Sequence, residues 1–84
     1  MTRKESIVEK DLVEYIAKSL VDSPNSVEVN VIEGEKSTIL ELKVAQEDIG
    51  KVIGKKGRNV QAIRTILSAA SAKIKKHTVL EILE

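Results

Sequence analysis

Apolar residues in this chain recur first with the period of a helix and then with the period of a strand. Val8, Leu12, Ile16 and Leu20 fall at i+4 steps, and Ile7, Tyr15 and Val21 widen the stripe, which predicts an amphipathic helix. Its start is expected at Ser6, whose hydroxyl can cap the first turn while Glu9 reaches back in a capping box. Ser23-Pro24-Asn25 ends it, because proline disfavours helical geometry in the residue before it. Alternation follows, with Val27, Val29 and Val31 on one face and Glu28 and Asn30 on the other. After the turn Glu33-Gly34-Glu35-Lys36, a second strand sets Leu40, Leu42 and Val44 against Glu41 and Lys43.

From Gln46 the pattern returns to a short helix. Its first turn carries Glu47 and Asp48, the sign favoured by the helix dipole, and Gly54 can cap its end after Ile53. A longer helix is expected from Arg58 to Lys75, because Val60, Ile63, Leu67, Ala70 and Ile74 are spaced 3, 4, 3 and 4 residues apart. The β-branched, leucine-rich stretch Thr78 to Leu83 reads as a last strand. The predicted order is α-β-β-α-α-β. Two helices between the second and third strands are long enough for a right-handed crossover, so those strands can lie parallel and adjacent. The first strand then adds antiparallel on the other side. The result is an α+β fold, a three-stranded mixed sheet with three helices on one face, in one domain spanning residues 1–84.

Composition narrows the classes. A chain of 84 residues is long enough for a single core. No apolar run approaches the roughly 18 residues of a membrane span, so no membrane partner is expected. Met1-Thr2-Arg3-Lys4-Glu5 lacks the apolar stretch and cleavage site of a signal peptide, and the chain has no cysteine for a disulfide or thiolate metal site. A cytoplasmic protein fits these features.

Charge adds a direction. Residues 1–48 hold 6 Lys/Arg against 11 Asp/Glu, and residues 78–84 hold two Glu and no base. Residues 49–77 hold Lys51, Lys55, Lys56, Arg58, Arg64, Lys73, Lys75 and Lys76 with no acid. Scattered lysines make a solvated face, but eight bases around a glycine-punctuated turn favour a polyanionic partner.

The turn lies in Ile49-Gly50-Lys51-Val52-Ile53-Gly54-Lys55-Lys56-Gly57-Arg58. Two glycines three apart between helices let the backbone reverse without a Cβ in the way, so a phosphodiester can approach the main chain. The first N–H groups of the following helix have no intrahelical acceptor and, with the dipole, favour an anion. Lys55, Lys56 and Arg58 add charge there, and Gly50 keeps the preceding helix surface low. A G-x-x-G spacing alone also arises from a glycine cap followed by a helix start.

Val52-Ile53-Gly54-Lys55-Lys56-Gly57-Arg58, continuing to Ile63, resembles the core motif of the KH domain, and the element order resembles its type II topology. The length resembles the small stand-alone bacterial KH proteins of the KhpA kind. The resemblance implies a groove for single-stranded RNA that holds about four nucleotides of backbone at Gly54-Lys55-Lys56-Gly57. It also implies apolar surface from Ile49, Val52 and Ile53, with the last strand as the opposite wall. Gly50, Lys51, Arg58 and Arg64 complete the expected RNA-binding set. The chain departs from the family in two ways. Its only aromatic residue is Tyr15, on the first helix, and its connection Lys75-Lys76-His77 before the last strand is short. Both imply that backbone gripping outweighs base reading. A role as an RNA chaperone or post-transcriptional regulator is the expected setting.

Other residues read differently. His77 has no thiolate or clustered carboxylate at ligand spacing and is expected as a polar end-of-helix residue, with no metal and no other cofactor. Glu47 and Asp48 are explained by the helix dipole, and no nucleophile–base pair or P-loop points to an enzyme. Tyr15 is expected at the core edge. Ile66, flanked by Ala62 and Ala69, lies about 80° from the centre of the long helix's apolar stripe, at 100° per residue. That flank is either a wide core face or an association surface. Its partner would be a second copy or a larger KH-containing RNA-binding protein, as the resemblance implies. A protein-interaction module with a KH fold is therefore the alternative function. Major-groove DNA reading has thin resources in Arg58, Gln61, Arg64, Thr65 and Ser68.

Overall fold

The computed structural model describes the backbone of residues 3–72 and 77–84 and the side chains of residues 8–72 and 77–84. Its elements are α1 (Arg3–Leu20), β1 (Glu28–Glu33), β2 (Ser37–Lys43), α2 (Ile49–Ile53), α3 (Arg58–Ala72) and β3 (His77–Ile82), with single 3₁₀ turns at Pro24–Ser26, Gln46–Asp48 and Lys55–Gly57. The order and class are those expected. Ile74 and Lys75, which the periodicity assigns to the long helix, and the bases Lys73 and Lys76 lie outside the described residues.

The sheet has the order β1-β2-β3. β1 runs antiparallel to β2, with Val29 opposite Leu42 and Val31 opposite Leu40. β2 runs parallel to β3, with Leu40 beside Leu80 and Leu42 beside Ile82. The strand period of two therefore sends Val29, Leu40, Leu42 and Leu80 to the same side, where all four are buried under the helices. Val13 and Ala17 of α1, Val52 of α2, and Val60, Ile63 and Leu67 of α3 complete that core. Each large aliphatic side chain buried there contributes about 1.5–3 kcal/mol.

Several expectations are corrected. α1 is already helical at Arg3, so Ser6 lies inside the helix and does not cap it. Glu9 is buried, and its Oε2 accepts the Thr78 hydroxyl at 3.0 Å, tying α1 to β3. The buried line of α1 is Glu9, Val13 and Ala17, one residue round the helix from the predicted stripe. Small Val13 and Ala17 let the helix approach the sheet closely, and the larger Leu12, Ile16 and Leu20 flank them half-buried. Val8 and Tyr15 consequently face outward, 64% and 73% exposed, and Tyr15 is not a core-edge residue. His77 opens β3 rather than ending a helix. Its N–H donates to the Lys36 carbonyl at 3.2 Å beside the hairpin.

Candidate nucleic-acid interface

The expected helix from Gln46 to Ile53 forms in two parts, the 3₁₀ turn Gln46–Asp48 and then α2. At their junction Asp48 is fully buried. Its carboxylate accepts the Ser23 N–H at 3.0 Å and the Lys51 ammonium at 3.3 Å, and the same ammonium reaches Asp22 at 3.0 Å. Burial pushes the Asp48 carboxyl up. The N–H groups of Ser23 and Asp22 and the Lys51 charge outweigh that push and hold it below the ordinary carboxylate value. Lys51 is correspondingly raised, first by its hydrogen bond to Asp22 and then by Asp48. The helix dipole alone thus does not account for Asp48. The residue anchors α2 to the loop that follows α1.

α2 buries Val52 completely and leaves Ile49 and Ile53 half-buried against the core. It ends at Gly54, whose N–H donates to the Gly50 carbonyl at 2.8 Å, as expected of a glycine cap. The chain then reverses with Gly54 at φ 79°, ψ 170°, Lys56 at φ 58°, ψ 26°, and Gly57 at φ 74°. Gly54 occupies a region essentially closed to other residues. A Cβ there would lie 2.6 Å from Cγ and 2.8 Å from the backbone N of Asn59. At Gly57 a Cβ would meet nothing, so only its φ calls for glycine. The Gly57 N–H closes the turn on the Gly54 carbonyl at 3.0 Å, and the Asn59 side-chain amide donates to the Lys51 carbonyl at 2.8 Å.

Lys55, Lys56 and Arg58 are all exposed around this turn, and Gly50 stands in open space one helical turn before it. From Lys56 and Gly57 a groove continues along α3 past Arg58, Gln61, Arg64 and Thr65. A second hollow, which shares Arg64, lies between Ser68 and Ser71 of α3 and Thr78, Val79 and Leu80 of β3. Arg64 bridges the two walls, its guanidinium 3.4 Å from the Leu80 carbonyl. The structure therefore brings Gly54, Lys55, Lys56, Gly57, Arg58 and Arg64 to one strip. It places the Lys51 ammonium between two carboxylates, those of Asp22 and Asp48. The roles of Asp48 and Asn59 escape the sequence pattern, because their partners Ser23 and Lys51 follow no helical or strand spacing.

Away from Arg64 on α3, Ile66 is 44% exposed, and Ala62 and Ala69 are exposed as well, Ala62 also lining the groove beside Arg58. The core beneath is filled by Val60, Ile63, Leu67 and the unforeseen Ser71, whose hydroxyl donates to the Ser68 carbonyl. Among the described residues no helix is long and apolar enough to cross a membrane.

Comparison with known proteins fits this geometry. A family model described as the KhpA/KhpB KH domain matches residues 10–82. The chain is 58% identical over 76 residues to the RNA-binding protein KhpA of Borreliella burgdorferi, covering 90% of this chain and 93% of that protein. It is 61% identical over 74 residues to the RNA-binding protein KhpA of Clostridium perfringens, covering 88% and 99%. Among solved structures, a GDP-bound variant of Era from Aquifex aeolicus superposes with a TM-score of 0.55 at 22% identity. That likeness, which covers 89% of this chain and 29% of Era, is one of fold alone. With the match running from α1 to β3 around the glycine turn, this chain belongs to the KhpA/KhpB family of KH domains.

Proposed function

We propose that the protein binds single-stranded RNA by its sugar–phosphate backbone, with Gly54-Lys55-Lys56-Gly57 as the clamp and little dependence on base sequence. The observation that carries this reading is the turn itself. It reverses through backbone conformations that bare the main chain, and the exposed Lys55, Lys56 and Arg58 surround it. A phosphate seated there meets N–H groups at the start of α3 and three cations, and the strand can continue along the groove past Arg64. Gly50 and the half-buried Ile53 offer low and apolar surface for a nucleotide beside the clamp. The ammonium of Lys51 is held by Asp22 and Asp48, so its contribution is to hold α2 rather than to bind phosphate. The names of the relatives point the same way. The only aromatic side chain belongs to Tyr15 on α1, which leaves no stacking platform in the groove and fits low sequence selectivity. Such a binder suits work as an RNA chaperone or post-transcriptional regulator in the cytoplasm.

Salt tests the reading. About three phosphate contacts at roughly −0.7 each give a log–log salt slope near −2 in fluorescence anisotropy with a single-stranded RNA, and duplex DNA competes poorly. A slope near zero would mean that the basic turn is not the binding surface.

A second reading, association through α3, is favoured by the exposed Ile66 between exposed Ala62 and Ala69. The partner is a second copy or a larger KH-containing RNA-binding protein. In sedimentation velocity the wild type then associates at high micromolar concentration, and Ile66→Asp stays a folded monomer. A monomeric wild type sinks the self-association reading.

A further inference from the structure

The end of α2 presents an accounting problem that its own backbone does not solve. The Gly54 N–H closes the last helical bond, onto Gly50. The next carbonyl, that of Lys51, would take the N–H of residue 55 if the helix continued. The chain turns away at Gly54 instead, with φ 79° and ψ 170°. The Lys51 carbonyl is met at 2.8 Å by the side-chain amide of Asn59, reaching back from the first turn of α3. The same side chain fills the space where a Gly54 Cβ would stand. The non-glycine residue Lys56 sits in the left-handed region inside this turn, a conformation that persists only where the surroundings over-determine it.

We propose that Asn59 is a positioning residue for the RNA clamp. Its carboxamide replaces the backbone donor that α2 loses at Gly54, which leaves the Lys55 N–H and the lysine side chains turned to a phosphate before RNA arrives. This rests on the RNA-binding reading of the turn and deepens it. Preorganisation of this kind raises affinity without adding a contact to the ligand, because the ordering is complete before binding.

The test compares Asn59→Leu, a neutral side chain of similar size without a donor, and Asn59→Ala with the wild type and with the double variant Lys55→Asp/Lys56→Asp. Each is titrated with a single-stranded oligouridylate, with circular dichroism as the folding control and amide hydrogen exchange read at Gly54 to Gly57. Both Asn59 variants are expected to remain folded, to exchange faster across the turn and to bind about tenfold more weakly. Their salt slope should stay at the wild-type value, because no phosphate contact is removed. Wild-type affinity in Asn59→Leu, or a weakened affinity with unchanged exchange in the turn, overturns the proposal. If the lysine double variant loses binding while both Asn59 variants keep it, positioning fails and the clamp stands. If the lysine double variant also keeps wild-type binding, the clamp reading itself fails and takes the proposal with it. Should Asn59→Leu not fold, Asn59→Ala decides by the same measurements.

Discussion

The hairpin turn between β1 and β2 and the glycine turn between α2 and α3 are built by opposite means. The hairpin turn at Gly34 closes on itself, the Gly34 N–H donating to the Ser37 carbonyl at 2.8 Å. It keeps ordinary backbone angles, and Glu33 and Glu35 flank it in an acidic half of the chain. The turn from Gly54 to Gly57 has positive φ at three residues, one of them Lys56, whose left-handed conformation costs about 1–2 kcal/mol. It is held from outside, by Asn59 at the end of α2 and by Asp48 at its start. A turn that only connects strands needs no such support. Strain that the surroundings maintain, placed among exposed cations, is the ground on which we propose this turn as the RNA clamp.

The largest expected contrast lies in the glycines. Gly54→Ala forces a side chain into a conformation open only to glycine and onto Asn59, and should cost about 3 kcal/mol together with RNA binding. Gly34→Ala meets the Ser37 carbonyl at 3.3 Å and the Ser37 hydroxyl at 3.8 Å and should cost under about 1 kcal/mol. Urea denaturation of the two variants compares them, and equal losses would erase the distinction between the turns.

A smaller effect separates the turns in acid. The Asp48 carboxyl is held below its ordinary value in the folded protein, so its stabilising contribution is complete above the unfolded value of about 3.9 and is lost as pH falls through the folded one. Asp48→Asn should lower the melting temperature at neutral pH and flatten the decline below about pH 4. Glu35→Gln in the hairpin should change neither. A decline in Asp48→Asn as steep as in the wild type would remove Asp48 from the acid response. The smallest effect is at Gly50, helical and in open space. Gly50→Ala should stabilise the fold by up to about 1 kcal/mol yet weaken RNA binding several-fold. Unchanged binding by anisotropy would take Gly50 out of the interface.

Periodicity made most of the fold legible. Alternation in Val27–Val31 and Leu40–Val44 and the 3-4 spacing from Val60 to Leu67 identify elements whose burial is a property of each element alone. α1 shows where this stops. Large residues draw the predicted stripe to Val8, Leu12 and Tyr15, whereas close contact with the sheet selects Val13 and Ala17. The glycine turn was legible because positive φ and close approach demand a particular residue type. Asp48 and Asn59 were not, because a buried carboxylate bonded 25 residues away and an amide reaching back 8 residues obey no period.

The most direct test of RNA gripping by this turn is a charge exchange between the two turns. In a gel-shift titration with single-stranded RNA, Lys55→Asp/Lys56→Asp should lose at least about tenfold in affinity with little change in melting temperature. Glu33→Lys/Glu35→Lys at the hairpin should stay within about twofold of the wild type. Wild-type affinity in the Lys55→Asp/Lys56→Asp protein would contradict the assignment of the clamp.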